Sequence, residues 1–174
     1  MSRLALERKY VGKISIPDGA VDITDPSYDR DVWCRMNNVS ITPGNYNCYA
    51  YMGNKKGWGN RCWKAQIALA DGPLSDIAEE RIASRKSWRE IGYIGVDAGM
   101  AGFFNHKPDF NNEEWDDLCD KMFSGEEYVY IDSFEKDGLI TRGFWTESGY
   151  GDGSYPVKAI REGGKIIALE IRFA

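Results

Sequence analysis

The chain has a single histidine, His106, and four cysteines, Cys34, Cys48, Cys62 and Cys119, with no two close together. One imidazole and scattered thiols give neither the spacing of a zinc knuckle nor a Cys-x-x-Cys redox pair. They also leave little from which to build a transition-metal site. The expectation is therefore no metal and no cofactor. A Ser-His-Asp triad would have to use His106. Its setting, Asn105-His106-Lys107-Pro108, reads as a loop histidine and not as an ordered base. Gly-x-Ser-x-Gly is missing around Ser148 and Ser154, so the sequence supports no nucleophile elbow. The phosphate-loop spacing GxxxxGK[ST] is missing too. No apolar run reaches the length of a bilayer span, and the first residues lack the pattern of a secretory signal. These absences point away from a membrane and toward a cytoplasmic protein with reduced thiols.

What the chain does contain is aromatic and glycine-rich. Its 174 residues fit one domain, here 1–174, with room for a substantial core. Aromatic residues make up 13%, including six Trp and ten Tyr, a composition that fills β-sheet cores and also makes binding surfaces. A net charge of −5 argues against nucleic acid as a partner and suits a basic protein partner instead.

Short β-like runs, alternating at 10–16, predict strands at 10–16, 19–24, 39–42, 46–52, 62–70, 91–96, 102–105, 128–133, 139–146, 155–161 and 165–173. Pro43-Gly44-Asn45 reads as a hairpin turn joining 39–42 to 46–52. Glu162-Gly163-Gly164 reads as the turn of a terminal hairpin. In 62–70, Trp63, Ala65, Ile67 and Leu69 fall on one face. Two helices are expected. One covers 75–84 with Ser75 as its cap, and one covers 111–123, where Trp115, Leu118, Cys119 and Met122 share a face. Strands precede and follow the helices instead of alternating with them. The fold expected is α+β, mostly β: an antiparallel sandwich or curved sheet with one or two covering helices.

Two segments set one aspartate among glycines at the edge of an apolar run: Gly95-Val96-Asp97-Ala98-Gly99 and Gly149-Tyr150-Gly151-Asp152-Gly153-Ser154-Tyr155-Pro156. With Asp25-Pro26 at the end of an early strand and Thr42-Pro43-Gly44-Asn45-Tyr46, they resemble the bacterial and phage family grouped as domain of unknown function 4241. The likeness runs from about residue 20 to the C-terminus. It implies a single domain and carries no established activity. Its phage and bacterial setting implies immunity or counter-defence as a role.

Three kinds of chemistry remain open. Asp25, Asp97 and Asp152 each sit beside Gly or Pro at a strand end. Converging, they would make an acid–base pair or an oxygen-ligand metal site. Apart, they hydrogen-bond their own turns, and that structural reading is preferred for Asp25, Asp97, Gly99, Asp152 and Gly153. Positive φ, or a close approach, is expected at Gly99 and Gly153. Lys55, Lys56, Trp58 and Arg61, followed by Trp63 and Lys64, form the one basic-aromatic cluster, suited to stacking on a ring while cations meet its phosphates. The plainer reading makes Trp63 core and the lysines solvated. Glu113, Glu114, Asp116, Asp117 and Asp120 form an acidic helix face. No catalytic residue is assigned. The leading expectation is a binding or inhibitory module that acts on a protein partner through its surface. A nucleotide-binding or nucleotide-sequestering protein comes second, and a carboxylate-dependent hydrolase third.

Overall fold

In the computed structural model, strands take most of the runs expected from the sequence. It describes residues 5–28, 31–57, 59–85, 87–106, 113, 116–117, 120, 131–136 and 138–174, with the backbone alone at 55 and 131–136. The strands are β1 (Glu7–Ile16), β2 (Ala20–Thr24), β3 (Met36–Ser40), β4 (Gly44–Lys55), β5 (Gly59–Leu69), β6 (Arg89–Val96), β7 (Met100–Asn105), β8 (Ile131–Lys136), β9 (Leu139–Glu147), β10 (Gly153–Glu162) and β11 (Lys165–Arg172). One helix, α1 (Pro73–Ser84), lies between β5 and β6. Of the segment 111–123, Glu113, Asp116, Asp117 and Asp120 are helical and exposed. Its apolar face, Trp115, Leu118, Cys119 and Met122, lies outside the described residues.

All the strands belong to one sheet, in the order β3-β2-β7-β9-β1-β4-β5-β11-β10-β6, with β8 added on β9. The expectation of a purely antiparallel sheet needs correction. β1 and β9 run parallel where Ile14 meets Ile140, so the sheet is mixed. It curls until its ends approach each other, giving a nearly closed barrel. At the seam, the Gly95 amide donates to the Cys34 carbonyl at 2.8 Å. Gly92 leaves room for Met36, whose Cε would lie 3.1 Å from a Cβ at that position. Ile14, Ile16, Ile67, Leu169, Val157, Phe103 and Phe144 fill the interior, each fully buried.

The terminal hairpin forms as expected. Glu162 pairs with Lys165 across Gly163 and Gly164, both at positive φ as a two-residue turn requires. The other expected hairpin does not form. β3 pairs with β2 at the sheet's end, and β4 lies between β1 and β5. The segment between β3 and β4 instead crosses from one part of the sheet to another. Ile41 donates its amide to Gly19, and Thr42 donates to Ile166. A Pro-Gly turn bends the chain, but it pairs the flanking strands only if their register lets it.

Ser75 does not cap α1. Gly72 is the N-cap, Pro73 opens the helix, and the Ser75 hydroxyl donates back to the Gly72 carbonyl at 2.8 Å. Proline at the first helical position loses nothing, since that amide has no intrahelical partner. Ala78 and Ile82 are the buried residues of α1, which packs on β5, β10 and β11.

Candidate functional site

A single extra residue in β5 decides the character of the outer face. Tyr51 pairs with Lys64 and Met52 with Cys62, so Trp63 has no partner and forms a bulge. Strand side chains alternate, so the bulge resets which of them face inward. Ala65, Ile67 and Leu69 point into the barrel as expected, and Cys62 joins them, fully buried. Trp63 does not. It is half-buried, and its indole N–H donates to the Gly53 carbonyl at 3.1 Å. Both the one-face pattern and the reading of Trp63 as core are therefore corrected.

The opposite side of these strands carries polar rows. Tyr51, Lys64 and Arg172 are cross-strand neighbours. The next row runs Tyr49, Gln66, Glu170, Lys158 and Glu90. Tyr49 donates to Glu79 of α1 at 3.0 Å, which marks this as the helix-covered face. Glu79 also pairs with Arg8 at 3.0 Å. Glu170 is completely buried, a rare state for a carboxylate unless it is paired. It is paired: Gln66 Nε2 donates to it at 2.8 Å, Lys64 Nζ lies at 3.6 Å, and Arg172 Nη2 lies at 3.3 Å.

Beside this row, where α1 ends, a cleft of about 630 Å³ opens. Lys64, Arg85, Lys158 and Arg172 supply four cations to its walls, and Tyr51, Trp63 and Trp88 supply three aromatic rings. Among the described residues that line it, none is an aspartate or a glutamate. Glu170 beneath answers only part of this positive charge. In a chain of net charge −5, such a concentration is a local inversion. Arg85 is held at the helix end in the left-handed conformation, φ 60°. The Lys64 ammonium lies over the Tyr51 ring, 4.4 Å from its centre. Burial lowers the pKa of Lys64, Glu170 opposes that shift, and Arg172 and Arg85 add to it. Arg172 Nε is buried without a hydrogen-bond partner among the described residues. An anion entering the cleft would meet under-compensated donors.

The residues singled out from sequence are dispersed. Lys64 and Trp63 of the basic-aromatic cluster line the cleft. Arg61 does not. Its guanidinium pairs with Glu147 at 3.1 Å, and the same carboxylate accepts the Cys62 amide at 2.7 Å. Burial raises the Glu147 pKa, and these two donors counter the shift. Lys56 is exposed on the β4–β5 turn. Trp58 and the Lys55 side chain lie outside the described residues.

The three aspartates divide in role. Asp25 is fully buried and accepts four hydrogen bonds. Its Oδ1 receives the Ser27 amide at 2.8 Å and the Ser27 hydroxyl at 2.7 Å. Its Oδ2 receives the amides of Asp97 at 2.8 Å and Ala98 at 2.7 Å. This one carboxylate ties the end of β2 to the β6–β7 turn. Asp97 and Asp152 are exposed, and their side chains make no hydrogen bond among the described residues. The acceptor role expected of all three therefore falls to Asp25. Gly99 has φ 70°, as expected, whereas Gly153 neither has positive φ nor crowds a neighbour closer than 3.5 Å. His106 is better ordered than its loop context implies. Its Nδ1 lies 2.7 Å from Asp22, which also binds Arg35 and the Asn38 amide.

Sequence reading missed Arg85, Trp88, Lys158 and Arg172. A signal was present, because Lys64, Gln66 and Glu170 interrupt strands that are otherwise apolar.

Fold and site together define a nearly closed β-barrel with a cationic, aromatic-walled cleft outside it, beneath the end of its helix. The chain belongs to the family described as protein of unknown function (DUF4241), which matches residues 14–171. No curated protein and no solved structure matches it.

Proposed function

We propose that the protein binds a small anion bearing a flat ring, the chemistry of a nucleotide, in the cleft between the end of α1 and the outer face of β4, β5, β11 and β10. One observation carries this reading: four cations and three aromatic rings line one cleft of about 630 Å³ whose described lining holds no aspartate or glutamate. Its size falls within the range of small-molecule sites. Lysine and arginine meet phosphate oxygens, and the rings offer faces for stacking. The basic-aromatic idea drawn from sequence is kept, but its residues change. Lys64 and Trp63 stay, Arg85, Trp88, Lys158 and Arg172 join, and Arg61 leaves.

The test is a titration of mono-, di-, tri- and cyclic nucleotides, with inorganic phosphate alongside, followed by tryptophan fluorescence. The expected result is saturable quenching that weakens with salt and is at least tenfold weaker in Arg172→Ala and Lys158→Ala. Phosphate without a ring should bind more weakly. Flat titrations across the whole set at low salt would remove the proposal.

A further inference from the structure

A second surface, chemically opposite to the cleft, lies where the barrel fails to close. Trp33 is 93% exposed, the most exposed large hydrophobic side chain among the described residues. With Tyr28, Cys34, Tyr93, Ile94 and Gly153 it lines an apolar groove of about 320 Å³ at the seam beside β6. Gly95 keeps the floor of this groove tight, since a Cβ there would fall 2.9 Å from Cys34 Cβ. None of the described lining residues is charged.

Three described carboxylates stand near the groove. Glu90 accepts the Tyr93 hydroxyl at 3.1 Å. Asp97 is exposed at the end of β6 and acts electrostatically on Tyr28. Asp152 is exposed next to Gly153. Of the described cations nearby, Lys158 stands across the strands from Glu90, and Arg35 is turned inward. Its side chain is 7% exposed and is spent on Asp22, Asn37 and the Tyr28 carbonyl. Aromatic faces rimmed by carboxylates attract a cation, through the ring quadrupole and through charge. An exposed tryptophan at a groove is also the side chain that most often anchors a protein contact.

We infer that this seam groove docks a basic segment of a protein partner, with an arginine or lysine side chain between Trp33 and Tyr93 and its charge met by Glu90, Asp97 and Asp152. The groove and the cationic cleft share no lining residue, although Glu90 stands across the strands from Lys158 of the cleft, so one chain presents an anion site and a cation site made from different residues.

The experiment is calorimetric titration of the full chain with an acetylated, amidated hexa-arginine peptide at low and at physiological salt. One peptide should bind per chain. Trp33→Ala should weaken binding at least tenfold, and the pair Asp97→Asn with Asp152→Asn should weaken it several-fold. All three side chains are exposed, so thermal melts of these variants should match the parent. Arg172→Ala, in the other cleft, should leave peptide affinity unchanged. Binding that survives Trp33→Ala would reduce the effect to diffuse attraction by an acidic protein and overturn the inference. So would an absence of binding at low salt. Arginine amide binding as tightly as the peptide would make the occupant a free cation. A parent dimer that dissociates in Trp33→Ala would make it a second copy of the chain. Either result would also overturn the inference.

Discussion

Lys64 holds its ammonium 3.6 Å from the fully buried carboxylate of Glu170, and a second cation, Arg172, reaches the same carboxylate at 3.3 Å. One buried negative charge thus serves two cations at the edge of the cleft. Removing one partner of a buried pair is costly because the other charge stays behind. Arg172 is 40% exposed, so solvent screens its share. Glu170→Gln should therefore lower stability by about 2 kcal/mol, somewhat below the roughly 3 to 5 kcal/mol of a broken buried pair. Added phosphate should recover part of that loss, because an anion in the cleft would supply the missing charge. Denaturant melts of both proteins, with and without phosphate, check this. An equal rise for parent and variant would show that phosphate does not reach these cations.

Asp25 gives the sharpest contrast among the aspartates. Its four hydrogen-bond partners are all donors. An asparagine would turn an N–H₂ group toward two of them and leave buried donors unmet. Asp25→Asn should cost about 2 to 4 kcal/mol, while the exposed Asp97→Asn and Asp152→Asn should stay within about 0.5 kcal/mol. Thermal melts of the three variants decide it. Similar losses at all three positions would contradict the assignment of Asp25 as the sole clasp.

Much of the barrel was readable because strand alternation is a local property. The runs that became β1 and β10 show it plainly, and the turn at Gly163-Gly164 has the residues its φ values demand. Pairing was less readable. Pro43-Gly44-Asn45 looks like a hairpin, yet β3 and β4 end up apart in the sheet. The partners that decided this, Gly19 and Ile166, are distant in sequence. The site suffered most from one bulge. Alternation carried straight through Trp63 puts it in the core, and one extra residue turns it out to the cleft. Asp25 was grouped with Asp97 and Asp152 by motif, but burial separated them. Burial belongs to the folded whole and not to any segment.

Alkaline pH should unfold the protein through its buried thiols. A free thiol ionises near 9.0, and burial pushes Cys62 up to about 12. Cys48 shifts in the same direction, also by burial. Between pH 9 and 12 the unfolded chain has released these protons and the folded chain still holds them. Stability is therefore full below 9 and falls as pH rises, by up to about 1.4 kcal/mol per pH unit for each thiol. Lys64 acts in the opposite sense. Its folded pKa is lowered, so its contribution improves as pH rises toward 10.5. Urea melts from pH 8 to 11 should show a net decline that is shallower in Cys62→Ala. An unchanged slope in that variant would take Cys62 out of the account.

Three glycines near the C-terminal motif should respond very differently to alanine. Gly149 has φ 63°, and a Cβ there would lie 2.3 Å from the Cys62 carbonyl oxygen. Gly99 has φ 70° with open space around it. Gly153 has neither constraint. Left-handed backbone alone costs a residue with a Cβ about 1 to 2 kcal/mol. Gly99→Ala should lose about that much, Gly149→Ala clearly more, and Gly153→Ala almost nothing. Equal melting temperatures for Gly149→Ala and Gly153→Ala would refute the ordering.

Arg61 near the start of β5 and Arg172 at the end of β11 should separate stability from binding. Arg61 is 20% exposed and holds the buried Glu147. Arg61→Ala leaves that carboxylate with the Cys62 amide and without its charge partner. It should cost about 1.5 to 3 kcal/mol, the range for hydrogen bonds to charged groups, and it should leave nucleotide affinity intact. Arg172 is more exposed and faces the cleft. Its loss should change the melting temperature little, because Lys64 and Gln66 still hold Glu170. Its loss should also weaken anion binding at least tenfold. Measuring melts and nucleotide affinity on the same two preparations makes the contrast direct. The reverse pattern, with Arg61→Ala losing the ligand and Arg172→Ala keeping it, would move the site to the β4–β5 turn, where Lys56 is exposed.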